Sequence, residues 1–362
     1  MSTETARPDG SDSPSDPEAG ISPIGVVDDP AFDRHRSVEH HPERPERLFA
    51  ARAALRATTV QTRPVAAREA TREELSRVHH EAYLDELASL AGQRGHLDAD
   101  TYLAPDSVAS ALRAAGGGVA LVDALLDGEL TRGLALLRPP GHHARAGQAM
   151  GFCVINNVAV AAAHAIARGL ERVLVVDWDV HHGNGTQEMF YGDPRVLYVS
   201  LHQWPFYPGT GSAAEVGSGA GEGYSVNVPF SAGARHADYA AAFERVILPV
   251  ADAYAPQLVL VSAGFDAHKD DPLASMQLEA DSYAWMTQRL VEVADQHAGG
   301  RLALFLEGGY NLSALEHCLG ACLSALASVE GQPGRATSTT RDGELERATL
   351  ALRTYWSVLR SS

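Results

Sequence analysis

A dense group of carboxylates and imidazoles follows one apolar run in the middle of the chain. The run Val173–Val176 is mostly β-branched, which is typical of a buried strand. Asp177, Asp179 and His181 follow it directly, and they converge on one spot if the extended conformation persists past Trp178, because side chains two apart on a strand face the same way. Burying such groups without a cation or a hydrogen-bond network is costly. The pattern therefore indicates either a metal site or a polar cluster whose members hydrogen-bond to one another. The metal site is favoured, because clusters of groups with perturbed pKa values more often mark functional sites.

Three further predicted strands also end in polar groups. His142 and His143 follow one of them, Asp266 follows a second, and Tyr310 follows a third after two glycines. The carboxyl ends of parallel strands share one edge of a sheet, where ligands of α/β proteins bind. Two carboxylates and an imidazole form a three-ligand divalent site with an open position. A histidine pair supplies a base and an acid, and a tyrosine can stabilise an oxyanion. Together these groups suit metal-assisted hydrolysis of an amide or an ester.

Predicted strands alternate with predicted helices along most of the chain. This order favours an α/β fold with a mainly parallel sheet and helices on both faces. The apolar spacing predicts helices over 46–58, 105–128 and 237–253. Gly116–Gly118 lie inside the second helix, and we expect them to permit close packing, because no phosphate-binding glycine motif is present.

The composition is typical of a soluble globular protein, with 45% hydrophobic and 21% charged residues. Residues 1–20 are rich in Ser, Pro and acidic side chains, so we expect a disordered tail before a single domain over 21–362. The net charge of −17 argues against non-specific nucleic-acid binding, which needs a basic surface. We expect no signal peptide and no membrane contact, because no apolar run approaches roughly 18 residues.

Cysteine and histidine usage adds two smaller expectations. Cys153, Cys318 and Cys322 lack CxxC spacing, which indicates no disulfide framework and a reducing, cytoplasmic location. We interpret the last two as small core residues. His40 and His41 lie in a polar loop, where we expect solvated side chains rather than metal ligands. The sequence leaves the formation of a homo-oligomer open.

Long motifs in a fixed order connect the chain to a known family. RPPGHHA, GFC, DWDVHHGNGTQ, SLHQ, YPGTG, SAGFDAHKDDP and EGGYN resemble the zinc-dependent histone deacetylase superfamily, from about residue 21 to residue 325. That superfamily includes bacterial and archaeal deacetylase-like amidohydrolases and acetylpolyamine amidohydrolases. HPERPER and Asn184 are more similar to class II members. The resemblance implies an arginase/deacetylase-type fold with an eight-stranded sheet, and a deacetylase catalytic domain over 21–362.

The resemblance also implies the roles of the site residues. It implies one Zn²⁺ per chain, held by Asp179, His181 and Asp266. It further implies that His143 is the base, that His142 sits beside it under the influence of Asp177, and that Tyr310 binds the carbonyl oxygen. Asn184 stands where class I members carry Asp, and a neutral partner should leave the pKa of the neighbouring histidine lower.

Substrate and potassium sites follow from the same resemblance. Gly151 and Phe152, with Tyr207 opposite, would line a tunnel for an aliphatic acyl-lysine-like chain. Asp100 would accept hydrogen bonds at the rim, a role that Asp98 could also take. Structural K⁺ would be bound at two sites that draw on Asp177, Asp179, His181, Ser200 and Leu201, and on Phe190, Asp193, Val196 and Tyr224.

Several functions remain open at this point. The substrate is a small-molecule or peptide acylated amine, and the sequence does not separate acetyl-lysine from acetylpolyamine. An arginase-type manganese ureohydrolase needs a second metal site, and GFDAH lacks the second Asp for it. A module that binds acyl-lysine without cleaving it would not need both histidines and Tyr310.

Overall fold

Eight parallel strands form the central sheet of this computed structural model, which describes residues 22–37, 40–328 and 339–360. The predicted tail over residues 1–20 lies outside the described residues. The sheet has the order β2-β1-β5-β10-β9-β6-β7-β8, and a separate antiparallel pair is formed by β3 and β4. The strands are β1 (Ile24–Val27), β2 (Thr62–Pro64), β3 (Gly95–His96), β4 (Tyr102–Leu103), β5 (Arg132–Ala135), β6 (Val173–Asp177), β7 (Val196–Gln203), β8 (Ser225–Phe230), β9 (Leu258–Ala263) and β10 (Leu302–Leu306).

The helices pack in two layers against this sheet. One layer contains α4 and α5, and the other contains α1, α10 and α9. The helices are α1 (Glu46–Ala57), α2 (Arg72–Ser76), α3 (Glu81–Leu90), α4 (Ser107–Leu126), α5 (Asn157–Ala167), α6 (Asn184–Phe190), α7 (His236–Ala242), α8 (Leu248–Tyr254), α9 (Ala280–His297), α10 (Leu312–Leu326) and α11 (Asp342–Leu352).

The predicted α/β class is confirmed, because every residue of β6 and β7 is buried, as expected for parallel strands covered on both faces. One sheet strand, β2, is not expected from the sequence; it is a fully exposed edge strand of three residues that ends in Pro64. The antiparallel pair β3 and β4, within 95–105, is not expected from the sequence either. These three strands are too short to show the alternation of apolar and polar residues that marks a strand.

Close packing explains the glycines of α4, as predicted. A Cβ on Gly116 would lie 2.2 Å from the carbonyl oxygen of Arg68, and one on Gly118 would lie 2.6 Å from the Phe305 ring. By length and composition, α4 is the one helix among the described residues that could cross a membrane, and 67% of its most apolar window is buried inside the protein. Core helices of soluble proteins pass the same test, so the expected absence of membrane contact stays a prediction.

The helix predicted over 237–253 is present with an irregular middle. A π-helical segment, Phe243–Ile247, joins α7 to α8, and Pro249 follows it without an N–H group to continue the regular hydrogen-bond ladder. Cys318 and Cys322 are buried and free in α10, as expected of core residues.

Candidate metal centre and acyl pocket

The four strands that carry the predicted site residues are neighbours at the centre of the sheet. Their order is β5, β10, β9 and β6, and all their pairings are parallel. Their carboxyl ends therefore open at one edge, which confirms that the polar groups following them can meet there.

Three of those groups form a compact set of ligand atoms. Asp179, His181 and Asp266 each offer one donor atom, and these atoms lie within 4.8 Å of one another. The Nδ1 atom of His181 is 3.2 Å from Oδ1 of Asp179 and 3.2 Å from Oδ2 of Asp266. A tetrahedral zinc site with bonds of about 2.1 Å places its ligand atoms about 3.4 Å apart, so the spacing fits that ion.

Hydrogen bonding gives a second test of whether a cation belongs there. A ring nitrogen carries at most one hydrogen and cannot satisfy two carboxylates, and Oδ2 of Asp266 is buried without a hydrogen-bond partner. Two glycines also leave space beside the ligand oxygens. A Cβ on Gly264 would lie 2.1 Å from Oδ2 of Asp179, and a Cβ on Gly308 would lie 2.2 Å from Oδ2 of Asp266. The donor set suits a divalent transition metal.

Asp177 does not join this set, which corrects the expectation of three converging side chains. The strand ends at Asp177, and the chain then bends. Oδ1 of Asp177 accepts the Asp179 N–H at 3.1 Å, and Oδ1 of Asp179 accepts the His181 N–H at 2.9 Å. Such side-chain bonds to the backbone two residues on compete with the extended conformation. Asp177 instead lies 3.0 Å from Nδ1 of His142.

The two adjacent histidines have opposite electrostatic environments. Burial disfavours a charge on His142, but the carboxylates of Asp177 and Asp179 raise its pKa well above the ordinary value. Burial, followed by the charges of His142 and His181, holds the pKa of His143 well below that value. Nδ1 of His143 lies 2.8 Å from Oδ1 of Asn184. Burial is the largest cause of the low pKa of His143, and the Asn184 hydrogen bond acts in the opposite direction. The effect expected from Asn184 in place of an Asp stays a prediction.

A narrow pocket of about 90 Å³ opens beside the ligand atoms. It brings together most of the predicted catalytic and substrate residues and one predicted metal ligand, His181. The others are Asp100, His142, His143, Gly151, Phe152, Tyr207 and Tyr310. Phe152 has a left-handed φ of 69°, a strained state for a bulky residue that is often found at functional sites. Gly151 also has a positive φ, and a Cβ there would lie 2.5 Å from the His143 ring.

Comparison with known proteins places these features in one family. The model of the histone deacetylase domain matches residues 41–326. The chain belongs to the histone deacetylase family. It is 46% identical over 294 residues to histone deacetylase 15 of Arabidopsis thaliana, covering 79% of this chain and 52% of that protein. It is 47% identical over 294 residues to human polyamine deacetylase HDAC10, covering 75% of this chain and 43% of the relative.

The fold agrees with that assignment. The crystal structure of the HDA15 HD domain superimposes with a TM-score of 0.87 at 41% identity, over 94% of this chain and 97% of that chain. The deacetylase fold expected from the resemblance is therefore confirmed. The chain spans about half the length of the two curated relatives.

Tyr310 is placed in the pocket by residues that were not expected from the sequence to belong to the site. Asp271 accepts its backbone N–H at 2.7 Å. The guanidinium of Arg47 lies 5.0 Å from its ring centroid and donates to the carbonyl oxygens of Gly309, at 2.7 Å, and Glu307. Burial raises the pKa of Tyr310 well above its ordinary value, so its hydroxyl stays protonated.

A buried ionic network supports this arrangement. Glu43 forms ion pairs with Arg47 and Arg138, and all three side chains are fully buried. Arg138 immediately precedes the turn to the histidine pair. The signal was present in HPERPER, which contains Glu43 and Arg47, but from the sequence alone that motif indicates only a similarity to class II members.

Glu307 is a further residue that was not expected from the sequence to support the site. Its carboxylate accepts the N–H groups of Gly141 and His142 at 2.7 Å and 3.2 Å and the Ser262 hydroxyl at 3.2 Å. Burial raises the pKa of Glu307 to about 7. Its contacts connect the ends of β5, β9 and β10, which are three of the four strands that carry the site residues.

At the rim, the structure distinguishes Asp100 from Asp98. Asp100 lines the pocket, whereas Oδ1 of Asp98 accepts the N–H groups of Asp100 and Thr101 at 3.0 Å and 2.6 Å. Asp98 thus shapes the turn that presents Asp100. Burial, followed by the bond to Asp98, raises the pKa of Asp100.

The residues expected to bind potassium occupy two regions. Ser200 pairs with Asp177 across β6 and β7, with Leu201 next to it. The other four are Phe190, Asp193, Val196 and Tyr224. Here the Asp193 N–H donates to the Phe190 carbonyl at 3.0 Å and the Val196 N–H to the Asp193 carbonyl at 3.3 Å. The Tyr224 carbonyl accepts the Tyr198 N–H at 2.9 Å. These contacts leave the potassium assignment a prediction.

Proposed function

We propose that this chain is a zinc-dependent amidohydrolase that removes acetyl or short acyl groups from the side-chain amine of lysine or a related primary amine. The observation that carries the proposal is the Asp179–His181–Asp266 cluster beside a narrow pocket that His143 and Tyr310 also line. The family domain, and relatives named as histone and polyamine deacetylases, support the same reaction.

The three ligands and the histidine pair have separate tasks. Zinc held by Asp179, His181 and Asp266 would polarise the scissile carbonyl group and lower the pKa of water. His143 starts neutral because its pKa is low. Its Nδ1–H donates to Asn184, so Nε2 is free to take a proton from the attacking water and return it to the leaving amine.

Tyr310 acts on the carbonyl oxygen. Because its hydroxyl remains protonated, it donates a hydrogen bond to that oxygen as negative charge develops, and Arg47 and Asp271 hold it in place. His142, paired with Asp177, contributes positive charge beside the pocket.

The pocket walls select the substrate chain. The Tyr207 ring stands perpendicular to that of His143, with centroids 5.2 Å apart, and Phe152 meets Tyr310 edge-on at 5.9 Å. These rings would enclose an aliphatic chain and exclude water, while Asp100 accepts a hydrogen bond from an amide or amine at the rim. Acetylpolyamine is a second candidate substrate class, favoured by the likeness to human polyamine deacetylase.

A chelation experiment tests the proposal. The purified chain is incubated with acetyl-lysine peptides and acetylpolyamines, and released acetate is measured before chelation, after chelation and after zinc is restored. We expect turnover to be lost with the metal and to return with zinc. Full turnover without metal would contradict the proposal, and zinc-dependent substrate binding without acetate release would favour a binding module instead.

Two finer assignments belong to the same proposal. We propose structural K⁺ at the two regions named above, supported by the family resemblance and by the adjacency of Ser200 to Asp177. Exchange of K⁺ for a larger monovalent cation should then lower thermal stability. We also propose a cytoplasmic location, for which the three free, buried cysteines give support.

A further inference from the structure

His41 connects two loops that meet at the mouth of the pocket. Its Nε2 atom lies 3.1 Å from the carbonyl oxygen of Asp100, and because a carbonyl can only accept, Nε2 carries the hydrogen. Its Nδ1 atom lies 3.1 Å from both the N–H and the carbonyl oxygen of Glu43. Nδ1 is therefore satisfied whether the ring is neutral or protonated. The expectation of a merely solvated side chain was wrong.

The ring of His41 also contacts the pocket wall. Its centroid is 4.6 Å from that of Phe152 and 4.8 Å from that of Tyr102, and both contacts are edge-on. His41 thus touches one residue of the wall through its ring and one residue of the rim through a hydrogen bond.

Phe152 depends on such support, because its φ of 69° is unfavourable for a bulky side chain. Its N–H donates to the Thr101 hydroxyl at 3.0 Å, so the rim loop and the wall are already attached to each other. His41 adds a second support for both, from a segment 59 residues before Asp100.

We propose that His41 is a positioning residue that sets the rim of the acyl pocket. Through the Asp100 carbonyl it orients the carboxylate that receives the substrate amide, and through its ring it holds Phe152 in the strained conformation. It thereby determines the affinity for substrates long enough to reach Asp100. This inference rests on the proposed deacetylase function.

Kinetics of matched variants separate the two contacts. His41→Ala removes both contacts, His41→Phe keeps the ring and removes the hydrogen bond, and His40→Ala, at an exposed neighbour, is the control. With an acetyl-lysine peptide we expect His41→Ala to raise KM about 10-fold, His41→Phe about 3- to 5-fold, and kcat to change less than about 3-fold. The control should match the wild type.

A double-mutant cycle shows whether the effect passes through Asp100. In an Asp100→Ala background, His41→Phe should add less than about 2-fold to KM, because contacting residues are non-additive. Fully multiplicative losses, or a loss confined to kcat, would overturn the proposal.

Hydrogen exchange gives a readout that does not need activity. In the full chain, His41→Ala and His41→Phe should speed amide exchange at least about 10-fold within 98–101, and His41→Ala also within 151–153, while His40→Ala should not. Unchanged exchange in His41→Ala would refute the positioning role even in an active enzyme. If the variants show these changes in exchange but the wild type releases no acetate, only the proposed function is refuted.

Discussion

Replacement of Gly308 by alanine tests directly whether two carboxylates share one cation. A Cβ at Gly308 would lie 2.2 Å from Oδ2 of Asp266 and 2.5 Å from Oδ2 of Asp179. The backbone of Gly308 is outside the left-handed region, so alanine can adopt it and the strain comes from these contacts alone. The change therefore acts on the ligand oxygens and leaves every ligand residue in the sequence.

The size of the effect follows from the distances. Non-bonded Cβ contacts shorter than about 3.0 Å are essentially never seen, so Oδ2 of Asp266 must move by about 0.8 Å. Metal sites tolerate deviations of only about 0.2 Å in ligand distance. Since weaker disturbances outside the ligand set already cost about 10- to 100-fold in metal affinity, we expect at least that loss for Gly308→Ala, or about 1.4–2.7 kcal/mol.

The assay is competition for zinc against a chelator of known affinity, with the metal content of the dialysed protein measured in parallel. The control is Gly343→Ala in α11, where nothing lies within 4 Å of the added Cβ and a helical Gly→Ala change should slightly stabilise the protein. Thermal unfolding of both metal-free variants checks that they fold. If folded Gly308→Ala binds zinc as tightly as the wild type, Asp179 and Asp266 do not share the ion.

Three further outcomes are expected. His143→Ala and Tyr310→Phe should each lower turnover at least about 100-fold while zinc stays bound, as for lost acid–base or oxyanion groups; normal turnover in either would refute its role. Asp179→Ala should lose the metal itself, which elemental analysis would detect. His79 is buried, which lowers its pKa to about 4. Its folded pKa lies below the unfolded value of about 6.5, so stability is present above pH 6.5 and is lost as the pH falls toward 4. In urea unfolding, the free energy of unfolding of His79→Gln should therefore depend less steeply on pH than that of the wild type, by up to about 1.4 kcal/mol per pH unit across that window. An equal pH dependence in the two proteins would contradict this.

Much of the fold could be predicted because its determinants are local in sequence. Seven of the eight sheet strands are fully buried and mostly apolar, and parallel order follows from their alternation with helices. The strand that was missed, β2, is exposed and three residues long, so neither burial nor period marks it. The site residues at the strand ends were found for the same reason, since a titratable group directly after an apolar run is visible without knowing which strands are neighbours.

The supporting contacts could not be predicted, because they join residues that are distant in sequence. Arg138 and Glu43 are 95 positions apart, and Arg47 reaches a carbonyl 262 positions away. Each is a charged residue whose type alone predicts a solvated surface. Only the packed fold shows that the three charges are buried together, where loss of one partner would leave another uncompensated.

The one error within the central motif has a local cause. Alternate residues from Asp177 to His181 would share a face on a strand, but Asp177 and Asp179 each bond the backbone N–H two residues on. An Asp after a strand can therefore end it with its own side chain, and the two carboxylates then serve different partners: Asp177 the His142 ring, and Asp179 the candidate metal position. A pattern of alternating acids beyond the last apolar residue predicts a bend as readily as a continued strand, and here the bend separates the residue that tunes the histidine from the residue that would bind zinc.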